Sequence, residues 1–180
     1  VGAGIKYNAS FKAVTNLAEY LNVPIVTSAG HGDAIPNDHK LNSGQMGPRG
    51  NPIATKLMKE ADVILALGTR LGFNSTFYSF DNINKKAKII QVELEKKMIG
   101  KYFPVSIGIF ADASSVAIQL LKALKKKKIS PDTKEWTNKF INDRAKFLIN
   151  RDKVKSDNNP IQPNALFKEL RKVLPKNSSV

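Results

Sequence analysis

Over residues 1–120, short runs of consecutive apolar residues alternate with stretches whose apolar residues recur every third or fourth position. The first pattern predicts buried strands and the second amphipathic helices. Val1 to Ile5 reads as the middle of a buried strand that begins abruptly. Phe11, Val14, Leu17, Ala18 and Leu21 form a helical stripe, with Ser10 as its N-cap. Pro24 to Thr27 is a short, β-branched strand. Ser28 to Gly50 is rich in Gly and Pro and reads as a long turn-dense loop. Pro52 to Glu60 is a helix, since proline is well tolerated at a first helical position. Ala61 to Leu67 is continuously apolar, as expected of a strand covered on both faces, and Gly68 ends it. Ile89 to Val92 and Val105 to Ile109 are further strands. Asp112 precedes a helix with Val116, Leu120, Leu121 and Leu124 on one side.

Strand–helix–strand repetition without a strong hairpin signal implies an α/β fold: three layers, with a mostly parallel sheet flanked by helices. After Lys128 the pattern changes. Pro131 is expected to open a long helix carrying Trp136, Phe140, Ile141, Phe147 and Leu148. Ser156 to Gln162 is a polar linker, and Pro163 opens a short amphipathic helix with Leu166, Leu170, Val173 and Leu174. The expected organisation is an α/β domain over 1–128, a helical extension and linker over 129–159, and a further segment over 160–180. Both ends are expected to be boundaries within a longer polypeptide.

Composition narrows the functional classes. With no cysteine among 180 residues, disulfides and thiolate metal sites are excluded. An intracellular, cytoplasmic home is expected. No apolar run approaches the ~18–20 residues of a membrane span, so no membrane partner is expected. The net charge of +14 raises the question of nucleic acid. Yet residues 1–120 hold 13 Lys and Arg against 9 Asp and Glu, whereas residues 121–155 hold 12 against 4. The excess clusters at Lys125 to Lys128, with no aromatic residues interleaved. It reads as a solvated lysine-rich surface rather than a nucleic-acid interface.

Candidate chemistry is sparse. His31 and His39 are the only histidines, both in the turn-dense loop beside Asp33 and Asp38. Neither spacing is a common zinc pattern, and loop structure is the simpler role. The glycines are more informative, because ligands of open α/β sheets bind beyond the carboxyl ends of the strands. Gly2 and Gly4 follow the first apolar run, Gly68-Thr69-Arg70 follows the third, and Glu93 closes the fourth. Glycine admits a phosphate to backbone N–H groups, a helix N-terminus favours the anion, and a strand-end carboxylate can accept from ribose hydroxyls. Tyr7 stands where G-x-G-x-x-G would need its third glycine, so these parts define no dinucleotide fingerprint.

Taken together, Gly44-Gln45-Met46-Gly47-Pro48-Arg49-Gly50, ADVILALGTR, KIIQVELEKKMIG and VSIGIFADA resemble the central domain of the acetolactate synthase group of thiamine-diphosphate-dependent enzymes. HGDAIPNDHKL and KKMIGKYFPVSIGIFADA resemble the sulfoacetaldehyde acetyltransferase branch. The resemblance covers residues 1–124, and PIQPNALFKELRKVLP is similar to the start of that family's C-terminal domain. It implies a parent that uses thiamine diphosphate and Mg2+ at sites in flanking N- and C-terminal domains, assembled as a homodimer or homotetramer. It implies no catalytic residue and no metal ligand within this chain. In acetolactate synthases the central domain holds FAD, in some relatives ADP and in others nothing, so FAD, ADP and an empty or vestigial site are the three alternatives that the resemblance implies here.

The cofactor-contacting positions that the resemblance carries over are Pro48, Arg49, Gly50, Asn51, Gly68, Thr69, Arg70, Glu93, Leu94, Asp112 and Ala113. Glu93 replaces the Asp common in the synthases, Phe110-Ala111 replaces a small pair, and Leu71 to Asn74 replaces an acidic stretch. The leading expectation is a non-catalytic central domain of an acyl-transferring or decarboxylating enzyme. The alternative is a stand-alone FAD- or ADP-binding module. A third class, an enzyme resembling NAD-dependent deacetylases or deoxyhypusine synthase, would require a catalytic His or Lys in the cleft.

Overall fold

A computed structural model describes residues 1–7, 11–151, 153, 159–175 and 178. Ser10 and residues 156–158 of the linker lie outside the described residues. The chain divides into two compact units, Val1–Ile141 and Asn142–Val180.

In the first unit the elements in order are α1 (Phe11–Leu21), β1 (Ile25–Thr27), β2 (Asn42–Gln45), α2 (Pro52–Glu60), β3 (Val63–Leu67), α3 (Phe73–Thr76), β4 (Lys88–Glu93), β5 (Ile107–Phe110) and α4 (Ala113–Lys127). α5 (Lys134–Arg151) runs from the first unit into the second, which also holds α6 (Pro163–Val173). Every strand pairing is parallel: β1 with β2, β3 with β4, and β4 with β5. Two sheets result, β1-β2 and β3-β4-β5.

The layers follow from strand alternation. On β3, Ile64 and Ala66 point to one face, where Ala54 and Met58 of α2 pack with Ile89, Ile83 and Phe103. Leu65 and Leu67 point to the other, where Val14, Leu17 and Ala18 of α1 pack with Ala113 and Ala117 of α4. The helices cover the sheet on both sides, so the α/β layering read from the hydrophobic pattern is present. β5 is less covered than its composition implies. It forms the edge of its sheet, and Ile107 and Phe110 are 52% and 62% exposed.

Three segments differ from the sequence expectation. Val1 to Ile5 is not a strand; its last three residues form a 3-10 turn. The turn-dense loop contains β2, whose sequence NSGQ carries no apolar residue to announce it. The helix expected from Pro131 begins at Lys134, because Thr133 is held as a pre-helical anchor. Its hydroxyl donates to the carbonyls of Leu21 and Asn22 at 2.9 and 2.8 Å, and Thr137 donates to Asn22 at 2.6 Å. Those bonds satisfy carbonyls left open at the C-terminus of α1.

An apolar cavity of about 680 Å3 lies between β1 and β3, reached by side chains of α1, α2 and the 131–136 segment.

Candidate functional site

The parallel registers align the strand ends. Leu67 of β3 lies opposite Val92 of β4, and Glu93 lies opposite Phe110 of β5. Gly68-Thr69-Arg70, Glu93-Leu94 and Asp112-Ala113 therefore share one end of the three-stranded sheet. Pro48, Arg49, Gly50 and Asn51 belong to the other sheet, in the turn between β2 and α2. That turn is linked to the first group through Gly47, where a Cβ would lie 2.5 Å from the Asn74 carbonyl of α3.

Gly68 has a φ of +58, and a Cβ there would lie 2.6 Å from Gly4 Cα. Only glycine combines that left-handed backbone with that approach. Thr69 is buried, and its hydroxyl lies 2.6 Å from that of Ser28 at the end of β1. It also accepts from the Leu71 N–H at 3.3 Å. Gln91, buried on β4, donates to the Thr69 carbonyl at 3.2 Å and accepts from the Gly100 N–H at 2.9 Å. The floor of the site is thus a hydrogen-bonded knot joining β1, β3 and β4. Ser28, Gln91 and Gly100 are not among the positions expected from sequence, where a lone polar residue in or beside an apolar run is the only signal for them.

The charged positions are engaged locally. The exposed Arg70 guanidinium donates to the Glu95 carboxylate at 2.9 Å, and Lys97 reaches the same carboxylate at 2.7 Å. The Lys97 hydrogen bond holds the Glu95 carboxyl below its usual range, with the charges of Lys97, Arg70 and Lys101 adding to it. Glu93 accepts from the Leu94 N–H at 2.9 Å, and Leu94 itself is exposed. Asp112 caps α4 by accepting from the Ser115 N–H at 2.8 Å. A carboxylate has about four lone-pair sites, so the bond of Glu93 to the Leu94 N–H leaves capacity for a hydroxyl partner. Ala113 is buried as the first residue of α4. Asn51 caps α2 by accepting from the Ile53 N–H at 2.8 Å, Pro48 and Arg49 are exposed, and the Gly50 N–H closes a turn onto the Gly47 carbonyl at 2.9 Å.

An aromatic ledge adjoins Arg70 and Lys101. The Tyr78 and Tyr102 rings stack at 4.4 Å, and Phe73 lies 5.0 and 5.6 Å from Phe77 and Tyr78. The Tyr78 hydroxyl hydrogen-bonds to that of Tyr102, which lowers the Tyr102 phenol and raises that of Tyr78. The ledge is absent from the sequence expectations, and the dense aromatics of FNSTFYSF are the signal that could have found it.

The histidines do not converge. His39 Nδ1 accepts from the Leu41 N–H at 3.2 Å, which leaves the proton on Nε2 to donate to Glu19 at 3.2 Å. Among the described residues, no group of three or more His, Asp or Glu could hold a metal ion. The first turn of α4 could receive an anion. The buried Ser114 hydroxyl, in the first turn of α4 beside Asp112, has no hydrogen-bond partner, and that turn offers the N–H groups anions favour.

Comparison with known proteins agrees with this layout. Residues 1–124 match the family described as thiamine pyrophosphate enzyme, central domain. The chain is 42% identical over 125 residues to a sulfoacetaldehyde acetyltransferase of Roseovarius nubinhibens, covering 68% of this chain and 21% of that protein. It is 30% identical over 199 residues to that of Castellaniella defragrans, covering 99% and 33%. It is 30% identical over 173 residues to a probable acetolactate synthase large subunit of Methanocaldococcus jannaschii, covering 96% and 28%. The chain thus spans between about a fifth and a third of the length of these curated relatives. The match over residues 1–124, on a parallel α/β fold whose strand ends meet at Gly68, Glu93 and Asp112, places this chain in the central-domain family of thiamine pyrophosphate enzymes.

Proposed function

We propose that this domain is the non-catalytic middle of a longer, cytoplasmic, thiamine-diphosphate-dependent enzyme of the acetolactate synthase or sulfoacetaldehyde acetyltransferase type, and that it cradles a nucleotide, FAD or ADP, at its strand ends. The parent's reaction belongs to flanking domains, which would supply the sites for thiamine diphosphate and Mg2+. One observation carries the reading: the family match covers the α/β body while the chain makes up a third or less of its relatives. A stand-alone module leaves that disparity unexplained.

The nucleotide part rests on the strand-end geometry. The first turn of α4 would receive the diphosphate, with the orphan Ser114 hydroxyl beneath it. Glu93 would accept from a ribose hydroxyl, and the turn at Pro48 to Asn51 would close over the ligand. Thermal unfolding of the full-length protein with saturating FAD or ADP tests it. Ligand at about 100 times its dissociation constant should add ~2.7 kcal/mol, and Glu93→Ala should weaken binding about tenfold, the worth of one lost hydrogen bond to a charged group. No stabilisation by either nucleotide would refute the cradle while leaving the family assignment intact.

A further inference from the structure

We propose that the aromatic ledge of Phe73, Phe77, Tyr78 and Tyr102 is a docking surface for an acid-bearing face of a flanking domain of the same, longer polypeptide. The inference rests on the reading that such domains exist and is independent of the nucleotide cradle.

Exposed apolar residues are informative when they are contiguous rather than scattered. Phe73, Phe77 and Tyr78 are 51%, 45% and 47% exposed, and their rings adjoin. The Phe73 ring lies 5.0 Å from Phe77 and 5.6 Å from Tyr78, which stacks on Tyr102 at 4.4 Å. The backbone is bent to show them. Phe77 and Tyr78 have φ of +53 and +56, a left-handed conformation that bulky side chains rarely adopt. Such strain persists only where the surroundings over-determine it. Here the buried Thr76 does so. Its hydroxyl donates to the Leu71 carbonyl and accepts from the Tyr78 N–H, both at 3.0 Å, and its carbonyl accepts from the Asn82 amide at 3.1 Å. Phe80 meets the buried Phe103 edge-on at 5.2 Å and ties the ledge to the core. A core has no use for rings held half out by strained backbone. A docking surface does, because rings fixed beforehand lose little freedom when a partner arrives.

Composition and charge select the occupant. Aromatic residues and arginine are enriched where proteins meet, and tyrosine and arginine recur among the residues that dominate binding. The rim of the ledge is cationic. Lys101 Nζ sits 5.3 Å from the Tyr102 ring centre, and Arg70 and Lys97 share a single carboxylate, Glu95, at 2.9 and 2.7 Å. The Tyr78 hydrogen bond lowers the Tyr102 phenol, and the charges of Lys101 and Arg70 lower it further. Three cations against one carboxylate leave the ledge under a positive field, and the complementary face carries Asp or Glu around an apolar centre. A second copy of the ledge would set the same cations against one another, which is costly across an interface, in a chain whose net charge is already +14. A flanking domain carries no such conflict. This chain corresponds to 21% and 33% of the length of two relatives, so most of a protein of that size lies in other segments.

Hydroxyl-radical footprinting of the full-length protein, read by mass spectrometry, tests the assignment. A free ledge would label Phe77 and Tyr78 at about half their rate in the urea-unfolded protein, in line with their exposure. Under a docked domain both should label at least about tenfold more slowly than in urea, as residues at the water-excluded centre of an interface do. Lys97→Glu reverses one rim charge and should speed their labelling about threefold, whereas Lys97→Arg should not. Labelling at the free-ledge rate in a full-length protein that has flanking domains overturns the proposal and leaves the proposed function standing. Slow labelling that Lys97→Glu leaves unchanged also overturns it, since the covering face would then not be acidic. So does slow labelling that turns fast on dilution to single chains, which would put the occupant on a second copy. A gene that encodes no flanking domain overturns the proposed function as well.

Discussion

Thr69 shows how much of the site depends on single buried groups. Its hydroxyl meets Ser28 and the Leu71 N–H, and its carbonyl accepts from Gln91. Thr69→Val would keep the shape and leave the Ser28 hydroxyl unpartnered in a buried place. A loss of ~1–3 kcal/mol is expected in urea unfolding; a change below about 0.5 kcal/mol would mean that the knot contributes little. At Val1 the expectation concerns pH. For the 180-residue chain with a free amino terminus, burial lowers the amino group from 8.0 to about 5. Between those values the unfolded chain binds a proton that the folded chain does not. Stability should therefore fall as the pH drops from 8 to 5, by about 4 kcal/mol in total. Acetylating the amine should flatten that part of the profile. Of the residues in the site, Gly68 and Glu93 are legible in the sequence as strand ends because each closes an apolar run, and Asp112 as the residue before an amphipathic helix. Gln91 and Ser28 are not, because their roles depend on partners brought close only by folding.

At the level of elements, the helices and central strands are legible because their patterns are local. Pro52 to Glu60 has proline at its first position and Asn51 as cap, and Asp112 caps α4. Asp112→Ala should cost ~1 kcal/mol, whereas Asp112→Asn should retain the cap while removing the charge. Nucleotide affinity that falls in both variants would separate a binding role from the capping role. Gly68→Ala is expected to be more severe, since left-handed backbone costs ~1–2 kcal/mol and the new methyl would meet Gly4. β2 is illegible. NSGQ is stabilised by Asn42, whose amide donates to the Pro36 carbonyl at 3.0 Å and whose side-chain oxygen accepts from the Gly44 N–H at 2.8 Å. Such bonds leave no hydrophobic period to read. The late start of α5 likewise follows from tertiary bonds of Thr133 and Thr137 to the end of α1.

At the scale of the whole molecule, the hydrophobic pattern conveys parallel strands between helical layers but not their division into two sheets. Val1 and Gly2 bridge that division, the first bonded to Val26 and Ser28 and the second to Leu67. The strand ends hold a hydrogen-bonded floor, two engaged carboxylates and an aromatic ledge. The chain belongs to the central-domain family and spans a third or less of its relatives, and the proposed function gives the chemistry to flanking domains. The most direct test compares the full-length protein with the 180-residue chain, each given thiamine diphosphate and Mg2+. Pyruvate alone, or sulfoacetaldehyde with phosphate, would be the substrate, and acetolactate or acetyl phosphate the product measured. The account predicts turnover by the full-length protein and none by the isolated chain. Turnover by the isolated chain, or none by the full-length protein with either substrate, would contradict it.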